Sequence, residues 1–444
     1  MKKVLFLFAL LSYSIGYSQI QKGDRILSWQ LDLAQNQDYD SSFLYGKQAC
    51  MEATHLFMAW NDLETTSGIF NDTGRNTLKI MNIYYPTAGT PVEFQFAPLN
   101  TLFKSVPTDL QSVSFNSPVM ISRFKNVMDT VFKYIPNLDL TALNIGNECD
   151  IVLGVDSNKY NEYKEFLDSV IPYVKQKYFA LHASNLKIGT TLTHHGLVAT
   201  STKNLCKKLN KNLDIVAVTY YPLNSDFTMK NPSVVPGDFS ALVAEYSDTN
   251  QPIYFVECGF SSSDTCNSND LLQAKFYENV FTAWDTHYAN IKLLTVFKLV
   301  DWSQADANKL SVDYGILDNK FIEYLRTLGV RTWAGNGTSK PAYFQILCEL
   351  RARNWCVPAF CQPVSLEENS SVDKVTIYPN PTNNLLTISS KGSLKQVVIF
   401  DSFGKLIVTS NSPEIDMSNL SNGLYFLSIE LENGNRISEK VIKN

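Results

Sequence analysis

The chain predicts an α/β fold: a (β/α)8 TIM barrel followed by a small all-β sandwich. Three observations carry this. Eight short apolar runs of strand character recur along the first part, and segments of helical period separate them. Beyond residue 371 only short strands and turns remain. Eight strands, each followed by helical sequence, are what such a barrel needs. An open doubly wound sheet is the competing arrangement. No Gly-x-Gly-x-x-Gly follows any early strand, so no dinucleotide site supports it.

The strand runs are Ile26–Leu33, His55–Trp60, Val92–Ala97, Ala142–Gly146, Leu186–Leu192, Ile215–Tyr220, Ile253–Glu257 and Ile291–Leu299. Between them, Val127, Val131, Phe132 and Ile135 share a helical face. So do Tyr163, Phe166, Leu167, Val170 and Val174, and then Ala274, Tyr277, Val280, Phe281 and Trp284. A helix over Pro341–Arg353 closes the series. The polar, aperiodic stretch 362–371 reads as a linker, which assigns 19–361 to the barrel and 372–444 to the tail. In the tail, Thr387-Ile388, Gln396–Phe400, Lys405–Thr409, Gly423–Glu432 and Ile437–Ile442 are strand candidates between Asn- and Gly-rich turns. A sandwich of about seven strands fits.

The 444 residues are 45% hydrophobic and 18% charged, too apolar for a disordered chain. The net charge of −5 offers no basic excess to neutralise phosphates, so nucleic acid is not an expected partner. Residues 1–18 read as a signal peptide: Lys2 and Lys3, the short apolar run Val4 to Leu11, then Gly16-Tyr17-Ser18, with cleavage near Ser18. A buried N-terminal strand is the alternative. No later stretch approaches the ~20 apolar residues of a membrane helix. In an exported chain the eight cysteines can form disulfides. Cys348, Cys356 and Cys361, and the pair Cys258 and Cys266, are near enough to close small loops. Cys50 and Cys206 could equally be buried thiols.

The active site of such a barrel sits at the C-terminal ends of its strands. Strand four ends in Asn144-Ile145-Gly146-Asn147-Glu148, and strand seven in Val256-Glu257-Cys258-Gly259. Each apolar run thus delivers a carboxylate to the mouth, where burying a lone charge costs several kcal/mol. Two carboxyls facing one another across a sugar are what glycoside hydrolysis requires. No Gly-x-Ser-x-Gly elbow suggests a serine hydrolase. Asp301, Asp306 and Asp313 lack the regular spacing of a calcium loop.

With Asn147-Glu148 after strand four and Glu257 after strand seven, residues 25–355 resemble the large clan of retaining (β/α)8 glycoside hydrolases. The resemblance implies that Glu148 is the acid/base and Glu257 the nucleophile, their carboxyls about 5–5.5 Å apart. It implies that Asn147 holds the sugar 2-hydroxyl. Trp302 matches a stacking tryptophan, and Tyr220 or Tyr221 an aromatic that touches the nucleophile. Trp60, in Trp60-Asn61-Asp62-Leu63-Glu64, resembles the clan's Trp–Glu–Pro–Gly stretch without its proline, and Glu64 there reads as structural. His195, in the pair His194-His195 after strand five, is a candidate substrate contact. The clan's arginine near the end of strand two has no counterpart. The implied mechanism needs no metal and no organic cofactor. The substrate class is a polysaccharide or oligosaccharide, with β-1,4-galactan and related β-glycans the nearest resemblance. A catalytically inactive, glycan-binding barrel is the alternative.

The tail motifs Ile377-Tyr378-Pro379-Asn380-Pro381, Val398–Lys405 and Leu420–Phe426, with Val441-Ile442-Lys443 at the end, resemble the type A sorting domain of the type IX secretion system. That implies a Bacteroidetes-type source, the secretion machinery as partner, and a secreted or surface-attached product. A carbohydrate-binding module is the alternative for this part.

Overall fold

The computed structural model describes residues 22–356, 375–390, 392–401, 406–432 and 436–444. The expected signal peptide, the expected linker, Cys361 and the expected turn at Ser402–Lys405 fall outside these. The barrel strands are β1 (Ile26–Trp29), β2 (Ala53–Ala59), β3 (Val92–Asn100), β4 (Leu140–Asn147), β5 (Ile188–Gly189 continuing as Thr191–Thr193), β6 (Val216–Tyr220), β7 (Ile253–Cys258) and β8 (Ile291–Val296). Neighbours pair in parallel, and β1 pairs with both β2 and β8. The first half of β5 pairs with β4 and the second half with β6, so one strand broken at Thr190 carries the sheet round. The predicted run Leu186–Leu192 was continuous; the break lets its two halves serve two neighbours.

Helices α1 (Tyr39–Gln48), α2 (Asp72–Thr87), α3 (Pro118–Tyr134), α4 (Ser157–His182), α5 (Lys203–Asn210), α6 (Val235–Glu245) and α7 (Asp270–Thr286) each follow a strand in turn. After β8 come α8 (Gln304–Tyr314), α9 (Asn319–Arg326) and α10 (Pro341–Ala352). Side-chain caps start most of them: Ser117 accepts from Val119 N–H at α3, and Asn269 from Leu272 N–H at α7. Every residue of the helical faces at Val127–Ile135 and Tyr163–Val174 is buried against the sheet.

Strand alternation divides the interior into two. Outward residues such as Trp29, Phe94, Val218, Phe255 and Val296 join the large core under the helices. Inward residues Ala142, Ile215, Ala217, Tyr254, Val256 and Leu293, with Ile26, form a small apolar plug in the lumen. One step further along the strands the buried residues turn polar: Ser28, His55, Glu93, Gln95, Asn144, Thr191 and Thr295.

Cys50 and Cys356 form a disulfide, which removes the free-thiol alternative for Cys50. Cys348 is also disulfide-bonded. Cys258 and Cys266 are not joined: both are buried free thiols, like Cys149 and Cys206. Cys258 faces the helical layer, where the Tyr277 hydroxyl donates to its carbonyl.

The tail forms two antiparallel sheets. Strands β9 (Thr376–Tyr378), β10 (Leu385–Ser389) and β13 (Glu414–Asp416) make one; β12 (Leu406–Ser410), β11 (Leu394–Phe400), β14 (Gly423–Leu431) and β15 (Arg436–Lys443) make the other. Their own core includes Leu386, Ile399, Met417, Leu427 and Ile429. Thr376–Tyr378 and Glu414–Asp416 are short edge strands without a clear alternating signal in the sequence.

Candidate active site

Glu148 and Glu257 reach the lumen mouth by two different backbone devices. Gly146, at φ +97°, and Glu148, at φ +45°, end β4 in the left-handed region. A Cβ at Gly146 would stand 2.4 Å from Cys149 Sγ and 2.5 Å from the Tyr163 hydroxyl, so only glycine fits. The left-handed Glu148 costs about 1–2 kcal/mol, the kind of local strain that collects at working sites. In β7 a bulge does the same task. Val218 pairs with Phe255 but Thr219 pairs with Glu257, leaving Val256 as the extra residue. Tyr254 already faces inward, so regular alternation would turn Glu257 outward; the bulge re-aims it.

β6 ties the two carboxylates together. Thr219 Oγ1 donates to Glu148 Oε1 at 2.8 Å, and the Tyr221 hydroxyl donates to Glu257 Oε2 at 2.5 Å. Thr101 Oγ1, in the loop after β3, donates to the other Glu148 oxygen at 2.9 Å. Burial raises the pKa of Glu148, against the pull of both threonine donors. Glu257 is pushed up to about 7, first by burial and then by the charge of Glu148, while His55 and the Tyr221 hydroxyl act the other way. The two carboxyls are like charges close enough for Glu148 to act on Glu257, so ionising both is opposed.

Asn147 lies beside Glu148, with Nδ2 donating to Asn100 Oδ1 at 3.0 Å. Its own Oδ1 is buried and unpartnered. Trp302 stands beyond β8, with Lys298 Nζ 4.1 Å from its ring centroid and its buried indole N–H unpartnered. Lys298 in turn pairs with Asp32 beyond β1 at 3.2 Å. Burial lowers the pKa of Lys298 and raises that of Asp32.

The other predicted positions lie elsewhere. Tyr220 points outward, as alternation from Thr219 requires, and donates to Asp238 on α6 at 2.7 Å. Trp60 is fully buried, edge-on to Phe124, with its indole N–H donating to Glu64. Glu64 also binds the Gly68 N–H and Arg123, which makes it a structural brace. His194 packs edge-on to Tyr220 and contacts the Asp238 carbonyl, whereas His195 is exposed. Asp301 pairs with Lys340, and Asp313 with Lys309.

Several neighbours of the carboxylates escaped the sequence reading. Tyr324 sits edge-on to Tyr221 with centroids 6.0 Å apart, and Tyr314 edge-on to Phe103 at 5.5 Å. The charges of Glu148 and Glu257 act on both tyrosines. On the lumen floor His55 Nδ1 bonds Glu93, and Glu93 accepts from Asn144 Nδ2. The signal for Glu93 and Gln95 was their alternation with Phe94 and Phe96, which resembles a strand with one face in solvent.

Comparisons with known proteins follow this division. Residues 376–444 match the family model of the secretion system C-terminal sorting domain. No curated protein matches the chain. Among solved structures, the exo-β-1,4-mannosidase Op5Man5 from Opitutaceae bacterium strain TAV5 is similar at TM-score 0.57 and 15% identity, over 74% of this chain and 59% of that one. The chain thus spans well under two thirds of that mannosidase. A GH5_18 protein of Bifidobacterium longum subsp. longum, solved with Manβ1-4GlcNAc, is similar at TM-score 0.54 and 11% identity, over 76% of this chain and 80% of that one. A GH5_18 protein of Bifidobacterium longum subsp. infantis gives 0.53 and 11%, over 74% and 79%. At these identities the likeness establishes the barrel fold. No helix among the described residues is long and apolar enough to cross a membrane.

Proposed function

We propose that the chain is an exported, retaining β-glycoside hydrolase, with residues 19–361 as its catalytic unit and 372–444 as its sorting unit. The observation that carries this is the pair Glu148, half-buried, and Glu257, buried, held by Thr219 near the end of β6 and by Tyr221 just beyond it. Glu257 attacks the anomeric carbon as the glycosidic C–O bond breaks, and Glu148 gives its proton to the departing oxygen. Glu148, now a carboxylate, takes a proton from water; the hydroxide displaces Glu257 from the glycosyl ester. Asn147 Oδ1 and the Trp302 indole N–H supply unpartnered polar atoms for sugar hydroxyls.

The sorting-domain match and the signal-like N-terminus support export through the type IX route to the surface or medium. The similar structures include a β-1,4-mannosidase and a Manβ1-4GlcNAc complex, which puts β-mannosides first among substrates, with β-1,4-galactan and related β-glycans next.

A panel of aryl β-glycosides and β-glycans, assayed for released phenol and reducing ends, tests this reading. Wild type should turn over at least one β-linked substrate, and Glu257→Gln should lose that activity while staying folded. Glu148→Ala should keep activity on aryl substrates with good leaving groups and be accelerated by azide, which fits the vacated space. Undiminished turnover by Glu257→Gln would refute it. Glycan binding with no hydrolysis would favour the inactive-barrel alternative.

A further inference from the structure

A row of aromatic rings borders the mouth, and the mechanism uses only its last member, Tyr221. Phe103–Lys104 folds back onto β3, with Asn100 paired to Phe103, so Thr101 stands at the tip of a tight turn. Thr101 donates its N–H to the Asn147 carbonyl at 2.9 Å and its Oγ1 hydrogen to Glu148 at 2.9 Å, which fixes the turn to the end of β4. Phe103 then meets Tyr314, the last residue of α8, with ring centroids 5.5 Å apart. The row continues from Tyr314 to Phe321 at 6.0 Å, from Phe321 to Tyr324 on α9 at 6.4 Å, and from Tyr324 to Tyr221 at 6.0 Å. Tyr221 ends it by donating to Glu257. The rings thus run from the turn that holds one carboxylate to the hydroxyl that holds the other.

The row covers a definite sector of the barrel. Tyr314, Phe321 and Tyr324 all come from the segment between β8 and α10, and that segment also binds the loops around it. Lys320 pairs with Asp226 beyond β6 at 2.7 Å. The Thr327 carbonyl accepts from the Ser262 N–H beyond β7 at 3.1 Å, and the Trp333 carbonyl from the Gln35 N–H beyond β1 at 2.8 Å. With the rings, these contacts fence the mouth from β6 through β8 and β1 to β3. β4 and β5 stand outside this arc, and only the short helical turns Cys149–Leu153 and His194–Val198 follow them. Glu148 directly follows β4, so the unfenced sector is the one beside the acid, where a leaving group departs.

Resting on the glycosidase reading above, we propose that this aromatic wall makes the chain exo-acting: it bounds the glycon side after one sugar, and the aglycone leaves across β4 and β5. The ligand is then the non-reducing end of a β-linked chain, and the product a monosaccharide. Phe103, 39% exposed at the rim, is the specificity-determining residue, because its ring closes the wall onto β3.

The test uses the full chain and β-linked oligosaccharides of the sugar the panel identifies, labelled with a fluorophore at the reducing end. One set has a free non-reducing end and the other has that end blocked as a cyclic ketal. Wild type should shorten the free chains one sugar at a time, with monosaccharide the first product, and leave the blocked chains intact. Phe103→Ala opens the wall at an exposed ring. It should cut blocked chains about ten-fold or more faster than wild type, the order at which a single pocket contact discriminates, while turning over the simple aryl glycoside as before. Phe103→Tyr should keep the wild-type pattern. Early release of longer oligosaccharides, cleavage of blocked chains by wild type, or a Phe103→Ala pattern identical to wild type overturns the proposal. If wild type hydrolyses nothing, or Glu257→Gln retains activity, the glycosidase reading has failed and this inference with it; if both behave as expected and only the products disagree, this inference alone has failed.

Discussion

Glu257 is held where its charge is costly, and the cost is measurable as pH-dependent stability. Its folded pKa is raised from 4.5 to about 7 by burial and by Glu148. A raised carboxyl contributes stability that is fully present below the unfolded value and lost as pH rises through the folded one. We expect Glu257→Gln to melt close to wild type near pH 4, and increasingly above it as pH rises to 8. The gap corresponds to about 3 kcal/mol at full ionisation. Parallel melting curves across that range would show that Glu257 is not burdened in this way. Tyr221→Phe removes the hydroxyl that donates to Glu257. It should lower kcat about ten-fold or more with little change in KM, since a hydrogen bond to a charged group contributes about 1.5–3 kcal/mol. An equal fall on removing Tyr220's hydroxyl would contradict the assignment of Tyr221 to the site.

At the scale of the elements, what was legible and what was not follows from alternation. Glu148 and Glu257 stood out because each closes an apolar run. The choice between Tyr220 and Tyr221 needed the inward parity of Ile215 and Ala217, which the plug of the lumen reveals, carried on to Thr219, which donates to Glu148. Trp60 continues β2 on its outward side and so reaches Phe124 instead of a sugar. The β7 bulge was not legible, because the insertion of Val256 appears only when β6 and β7 are paired. Glu93 and Gln95 were missed because polar residues alternating with Phe94 and Phe96 look like a solvent face. In a barrel the inward face near the mouth is the polar one. Lys298 stands over one ring face of Trp302, and we assign the ring a stacking role toward a sugar. Trp302→Ala should weaken oligosaccharide binding by roughly ten-fold, from a stacking contribution of about 1–3 kcal/mol. Unchanged affinity by calorimetry would make Trp302 a packing residue only.

The molecule as a whole has two separate apolar cores, one in the barrel and one in the tail. Deleting residues 372–444 should therefore leave the barrel folded and its purified activity intact, since Cys50 and Cys356 stay in the remaining part. In the native host the same deletion should hold the protein in the periplasm. Loss of purified activity would point to a substrate-binding tail, and normal surface display would oppose the sorting role. The strand framework and the tail's character were legible because periodicity and turn residues repeat over long stretches; the disulfide was not, because Cys50 and Cys356 are 306 residues apart. The central claim, that Glu257 is the nucleophile of a retaining glycosidase, is tested most directly by trapping its ester. The full chain is incubated with 2-deoxy-2-fluoro-β-glycosyl fluorides of the sugars it hydrolyses, and its peptides are read by mass spectrometry. The expected result is one sugar on the peptide carrying Glu257, with activity lost in step. A label on another residue, or continued turnover in an unlabelled active enzyme, would contradict the account.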